Sequence, residues 1–517
     1  MAESYEVVIV GSGAGGGTAA YAFARAGVRT LLLERGDFLP QEDENWDAQA
    51  IFEKDRYKTK ELWIDAKTSK EFRPGMHYFV GGNTKVFGAS LPRFRVSDFA
   101  AIEHAEGISP AWPFSYFDLE PYYAEAEKLY LVHGSSGKDA SDPPRSAPFP
   151  YPAIPHEPYV FQLAERLKRL GYSPADLPIG ADLQANGRCI RCATCDGFPC
   201  KLHAKADADI SCVRPAVATG NLTLKTRTFV RRLIVDAKGR HVEAAEIEKD
   251  GQVERVQGQL FVVSCGAVNS AALLLRSTTG SQHGLANRNG LVGRHYLVHN
   301  NTIMLSIDPW RTNRTVFQKT LYVNDFYLKG NSKHSFPLGH IQLIGKVQAP
   351  MLRPQAPSVP RFLLKQVAQR SIDWWLFSED LPHPANRVTV DSQARIFIHW
   401  APNNLGAHRE LVQEAKNMVS RAGFSIKLTR RTGIEVNSHQ AGTVRAGADP
   451  AASVLDPFCK AHEVDNLYVI DSSFFPSLPV MNPALTISAN ALRVVDHILQ
   501  TPLCAGLHAS IPLKQTS

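Results

Sequence analysis

The stretch YEVVIVGSGAGGGTAAYAFARAGVRTLLLERG, residues 5–36, decides the fold. Val7, Val8, Ile9 and Val10 read as a buried parallel strand, and the glycines begin where that strand must turn into a helix. Gly11, Gly13 and Gly16 match the dinucleotide fingerprint: a tight turn, room for a pyrophosphate, and close helix–strand packing. Ala14 to Ala26 form a small-residue helix, and a second apolar strand, Thr30 to Leu33, ends in Glu34. A carboxylate there can accept both hydroxyls of an adenosine ribose and would repel a 2′-phosphate. Strand, turn, helix and acid together point to dinucleotide binding.

Outward from this unit, 517 residues exceed one compact core, so two lobes are expected. The chain is 44% hydrophobic and 21% charged, and no apolar run is long enough to span a bilayer. The 57 basic and 50 acidic residues are scattered, without a tract that would bind nucleic acid. A strand beginning by residue 6 leaves no room for a secretory signal, so a cytoplasmic location is expected.

After Glu34 a polar, aromatic segment to about residue 77 reads as loop and lid. In MHYFVGGNTKVFGASLPRFR, residues 76–95, Gly81, Gly82 and Gly88 suit a backbone lying against a flat ligand. Trp112 to Tyr130 reads as a turn and an amphipathic helix, and the Pro/Ser-rich stretch from Ser136 to Pro155 as a crossing between lobes. Another helix spans Phe161 to Leu170. Cys189, Cys192, Cys195 and Cys200 then form a CxxCxxCxxxxC array, open to three readings: structural thiols or a disulfide, an iron-sulfur cluster, or zinc. From Leu222 an antiparallel insertion leads to LFVVS, a buried strand at residues 260–264, and a glycine turn into helix. A sheet interrupted in this way is typical of flavin-binding lobes. Residues 300–430 read as a second, mainly antiparallel lobe, with the Pro-rich stretch from Ala349 to Arg361 open to two readings, a mobile loop over a pocket or an ordinary surface loop.

Near the C-terminal end His439 precedes a glycine turn, a strand ends in Asp471, and a Pro-rich loop carries Asn482 to a helix opened by Pro483. The positive end of that helix can stabilise an anionic ligand. The whole pattern resembles the glucose-methanol-choline (GMC) flavoprotein oxidoreductases, through VVIVGSGAGGG with Glu34, GGNTKVFGAS, CGAVNSAALLL, LVGRHYLVH, and HQAGT…NLYVIDSSFFPS…NPALTISANAL.

That resemblance implies an α/β architecture: a Rossmann-like FAD lobe with an interrupted doubly wound sheet (residues 1–100, 200–300 and 431–505) and a substrate lobe on a mainly antiparallel sheet (101–199 and 301–430). It implies that Gly11, Gly13, Ala14, Gly15, Gly16 and Glu34 hold the ADP half of FAD, and that Gly82, Asn83 and Thr84 line flavin and pyrophosphate. Val230 would meet adenine, Asp471 the linker, and Asn482 and Thr486 the pyrimidine end. His439 would be the general base and Asn482 its partner. Arg93 and Gln342 are named as sugar contacts from their neighbourhood alone. WPFSYFDLEPYY and FSEDLPHPANRVTVD are most similar to a bacterial branch of pyranose oxidases, glycoside 3-oxidases and glucose dehydrogenase subunits. This implies oxidation of a secondary hydroxyl of a pyranose or glycoside, with oxygen or another acceptor taking the electrons. Fungal pyranose oxidases attach FAD through a histidine where this chain has Thr84, Lys85 and Val86, which implies non-covalent FAD. Glucose dehydrogenase subunits draw an iron-sulfur cluster from this cysteine region at a different spacing. The rival expectations are a dehydrogenase feeding an iron-sulfur centre and a cytochrome partner, and a non-catalytic flavin-binding subunit.

Overall fold

The computed structural model describes residues 4–278 and 284–501; residues 1–3, 279–283 and 502–505 of the expected FAD lobe lie outside them. β1 (Ser4–Val10) feeds α1 (Ala14–Arg25), and β2 (Thr30–Leu33) follows. Val7, Val8 and Ile9 are fully buried, so the apolar run is covered on both faces, as a central parallel strand must be. The turn tolerates nothing but glycine: a Cβ on Gly16 would stand 1.9 Å from the Gly11 carbonyl oxygen. Two amphipathic helices come next, α2 (Tyr116–Leu129), capped by Ser115, and α3 (Pro158–Arg169), opened by proline. β3 (Pro174–Asp176) precedes the cysteine segment, whose two ends meet in a single bridge between Ala181 and Lys205.

Then come β4 (Leu222–Lys225), β5 (Phe229–Val235), β6 (Val242–Lys249), β7 (Gln252–Val263) and α4 (Ala267–Arg276). The first half of β7 pairs antiparallel with β6, while its second half runs parallel between β1 and β13 (Leu467–Val469). The sheet order is thus β4-β2-β1-β7-β13, with the meander β5-β6 hung on β7. This interrupted, doubly wound sheet matches the expected fold class.

The second sheet holds β8 (Asn300–Ile307), β9 (Leu321–Val323), β10 (His340–Leu343), β11 (Ser371–Ser378) and β12 (Ile426–Arg431), in the order β12-β8-β11-β10-β9-β3, antiparallel throughout. Side chains alternate across it. One face, with Met304, Ile341, Leu343, Trp374 and Leu376, packs on α3 and on α6 (Leu405–Arg421). The opposite face carries Asn301, Ile303, Tyr322, His340, Gln342, Trp375 and Phe377, and turns toward the nucleotide-binding lobe.

Three sequence readings need correction. The Arg387–Val390 and Ile396–His399 strands do not join this sheet; they pair with Trp63–Asp65 and Lys70–Phe72, inside the segment read as a lid. The Pro-rich stretch after Ala349 is not one loop: it makes two short helical turns and leads into α5 (Arg361–Arg370). α2 packs in the core of the nucleotide-binding lobe, with Tyr123 Oη 2.7 Å from Thr486 Oγ1 in α7 (Ala484–Gln500), although its residues were grouped with the substrate lobe. Its apolar stripe showed that it packs but not on what.

Candidate active site

The dinucleotide turn is built as the fingerprint requires. Gly11 takes φ +94°, and a Cβ there would meet Ser264 O at 2.3 Å, whereas around Gly13 the space is open. α1 begins at that opening with no side-chain cap, so its first-turn N–H groups are free to meet an anion. Glu34 is buried, which raises its carboxyl above the ordinary range, while the Ser12 side chain and the Ser12 and Gly36 backbones hold it down. The Ser12 hydroxyl donates to Glu34 at 2.6 Å and accepts the Gly81 N–H at 3.0 Å. Ser12, a variable position of the fingerprint, thereby ties Glu34 to the second glycine loop; sequence reasoning passed over it.

That loop is a left-handed turn at Gly81 and Gly82, and a Cβ on Gly82 would lie 3.2 Å from Gly13 Cα. Asn83 accepts the His77 N–H at 2.9 Å and Thr84 donates to Gly81 O at 2.6 Å, so both side chains hold the loop's shape. Lys85 is clamped between Asp207 and Asp209 at 3.0 and 2.9 Å. Val230 is buried in β5. The Asp471 carboxylate is fully engaged by the Gly266 and Ser473 N–H groups and the Ser270 hydroxyl, which fixes the entry to α4. Thr486 spends its hydroxyl on Tyr123, leaving the uncapped first turn of α7 to offer its backbone N–H groups.

The open space at Gly13, the two uncapped helix starts and the buried acid fit a flavin dinucleotide. Gly13, Gly82 and the start of α1 would hold its phosphates, Glu34 its ribose.

His439 is set by a short two-stranded ribbon in which Leu297 and Val298 pair antiparallel with Ala441 and Gln440. The next step of that register puts His299 beside His439, with the two Nδ1 atoms 3.1 Å apart. His299 Nε2 lies 2.9 Å from Pro479 O. A carbonyl only accepts, so Nε2 carries the His299 proton, and burial, which pushes this imidazole down to about 4, keeps the ring neutral. His299 Nδ1 is therefore a lone pair, His439 Nδ1–H donates to it, and His439 Nε2 is left unprotonated. Burial, then His299, then Lys319 hold His439 well below the ordinary histidine range. It is a neutral ring with a free basic nitrogen, lying over Trp375 at 6.0 Å and beside Phe377 at 5.7 Å.

Asn482 makes no direct bond to His439. It is joined to the pair through Pro479 in its own loop, and its Oδ1 accepts the Ser90 hydroxyl at 3.0 Å, which turns the amide N–H₂ outward. His299 stood in the LVGRHYLVH block but received no role; its distance from His439 in sequence hides a contact made only by the ribbon. Gln342 faces the site on the aromatic sheet. Arg93 does not: it is fully buried in bonds to Glu120, Glu127 and Tyr116, so it is a core ion-pair centre rather than a sugar contact. Its position beside the glycine loop gave no sign of the two carboxylates that α2 brings to it.

The cysteine segment reaches the site through Asp196, which pairs with buried Lys319 at 2.8 Å and accepts Gly345 N–H at 3.1 Å. Cys189, Cys192, Cys195 and Cys200 are free thiols, and burial pushes Cys195 up to about 12. Among the described residues no group of histidine, cysteine and acidic side chains is placed to hold a metal ion, and no helix is long and apolar enough to cross a membrane.

Residues 80–301 and 382–491 match the models of the GMC oxidoreductase family, and residues 6–41 an FAD-binding domain. The chain belongs to the GMC oxidoreductases. It is 30% identical to 6‴-hydroxyparomomycin C oxidase of Streptomyces lividus, over 95% of this chain and 90% of that one. Identity to paromamine 6′-oxidase of Streptomyces fradiae is 29%, with the same coverage. Pyridoxine 4-oxidase from Mesorbium loti superposes with a TM-score of 0.69 at 19% identity, covering 96% of this chain and 99% of that one. As a GMC oxidoreductase the chain is an FAD enzyme that oxidises CH–OH groups.

Proposed function

We propose that this enzyme oxidises a secondary ring hydroxyl of a pyranose sugar or glycoside to a keto-sugar, with oxygen or another acceptor taking the electrons. The observation that carries this reading is the free Nε2 of His439 above an aromatic face, with Trp375 Nε1, one end of the Gln342 amide and Asn301 Oδ1 buried there without protein partners. Unpaired buried donors and acceptors are costly, at about 1–3 kcal/mol each, and a polyhydroxylated ring would satisfy them while stacking on the aromatics.

In this reading FAD, bound non-covalently, supplies the hydride acceptor. His439 Nε2 takes the hydroxyl proton, the Asn482 amide N–H steadies the same oxygen, and Trp375 and Phe377 keep the ring flat against the sheet and exclude water. Gly11, Gly13, Ala14, Gly15, Gly16 and Glu34 anchor the far end of the cofactor. Similarity to two aminoglycoside oxidases favours a second reading, an amino-sugar substrate.

An anaerobic panel of sugars, glycosides and aminoglycosides, scored by bleaching of the flavin and followed by admission of oxygen and a peroxide assay, tests both readings. His439→Ala is expected to retain FAD and slow bleaching by about 10²- to 10⁴-fold. Near-normal bleaching in that variant would sink the assignment of the base.

A further inference from the structure

We propose that Gln342 orients the substrate by presenting its carbonyl oxygen, so that the ring must offer a second hydrogen-bond donor, hydroxyl or amine, beside the hydroxyl that is oxidised. This deepens the function proposed above and rests on it. The orientation of the amide follows from a relay that starts far from the cleft. Arg95 pairs with Asp139 at 2.8 Å, both side chains buried. The same Asp139 oxygen accepts the Asn324 N–H at 2.7 Å, because the opposite orientation would set a carbonyl against a carboxylate. Asn324 Oδ1 consequently faces His340 Nδ1, at 2.6 Å. A carbonyl cannot donate, so His340 carries its proton on Nδ1.

His340 lies fully buried, stacked on Phe377 at 5.8 Å, and burial pushes it down to about 3, so it is neutral and its Nε2 is a lone pair. Gln342 Oε1 stands 3.2 Å from that nitrogen. Two acceptors would meet there. A half-turn of the amide leaves the outline of the side chain unchanged and places its N–H against His340 Nε2. The far end of the amide, buried and without a protein partner, is then the carbonyl oxygen.

Gln342 sits directly opposite Trp375 in the β10–β11 register, and His439 lies over the same indole. Two acceptors, His439 Nε2 and Gln342 O, thus flank one aromatic platform. The ring that fits presents a donor to each: the hydroxyl that loses its proton to His439, and a neighbouring group that keeps its hydrogen. A fluorine or a bare methylene at that second position cannot serve.

The test uses the FAD-loaded enzyme and the best sugar from the panel, in its full set of monodeoxy, deoxyfluoro and deoxyamino derivatives. Wild-type enzyme is expected to lose about 100-fold in kcat/KM for one deoxy derivative, with fluorine failing to restore the rate. The amino derivative tells whether a hydroxyl or an ammonium is the donor preferred. In Gln342→Met the ratio of parent to that deoxy derivative should fall to roughly threefold or less, with most of the loss in KM. FAD content and melting temperature report whether the variant is folded, and Gln342→Leu provides a second folded variant if Met is poorly tolerated. An unchanged ratio in Gln342→Met, or recovery by fluorine, would overturn the inference while leaving sugar oxidation intact. Failure of every sugar and aminoglycoside to bleach the wild-type flavin would remove the underlying function and this inference with it.

Discussion

Replacing His299 by leucine removes the acceptor that fixes His439 in its basic tautomer. The half-buried His439 would lose the 3.1 Å partner of its Nδ1–H. A buried donor left unpaired costs about 1–3 kcal/mol. The ring can escape that cost by moving its proton to Nε2, where an incoming hydroxyl supplies a partner, but the nitrogen meant to take the hydroxyl proton is then occupied. At about 1.4 kcal/mol per decade, flavin reduction should slow by roughly 10- to 100-fold. Leucine also frees Pro479 O, so His299→Gln is the control: its amide can donate to that carbonyl and accept from His439, and should recover much of the rate.

Stopped-flow reduction under anaerobic conditions, measured from acid to neutral pH, is the assay. Because His439 is held below the ordinary histidine pKa, its base form persists as pH falls through 6.5, and the wild-type rate should stay level until well below that point. Loss of His299 removes one of the influences depressing His439, so the acid limb should move to higher pH. A His299→Leu enzyme that keeps FAD, reacts within threefold of wild type and shows the same acid limb would refute the tautomer argument.

Three further outcomes follow from the same geometry. Gly16→Ala must fit a methyl 1.9 Å from the Gly11 carbonyl, and should yield protein that neither folds stably nor retains FAD; a flavin-replete, normally melting variant would show that the turn relaxes. Glu34→Gln sets an amide N–H₂ among the donors from Ser12 and Gly36, and FAD should be lost on gel filtration, read from the ratio of flavin to protein absorbance. Arg93→Met leaves Glu127 to Arg145 alone and Glu120 to the Ser146 donors, and should destabilise the fold by about 1–3 kcal/mol in denaturant titration, with substrate KM unchanged for the folded fraction; a raised KM would return Arg93 to the substrate site.

The N-terminal unit was legible because its signals are local: an apolar run, glycines at fixed offsets and an acid after the next strand all act within one turn of chain. His439 and Asn482 are singled out by motif, yet the link between them is not legible there, since it passes through His299 and Pro479 and depends on a ribbon register that no periodicity announces. Arg93 shows the opposite failure. A cation beside a glycine loop looks like a ligand contact until α2 delivers Glu120 and Glu127 to it. The small sheet that joins residues 63–72 to 387–399 was equally hidden, because three-residue strands carry too little alternation to be told from loop.

The bridge between Ala181 and Lys205 means that the cysteine segment leaves the scaffold and rejoins it at one point. Closing a longer or shorter excursion between fixed posts changes the entropy only slowly with length. The segment's length and its cysteines can therefore vary at little entropic cost, provided its inner anchors are kept: Asp196 on Lys319, the Gly197 N–H on Val86 O and the Phe198 ring against Phe52. The cysteines thus ride on a replaceable insert, set apart from the two sheets that carry the cofactor turn and the paired histidines.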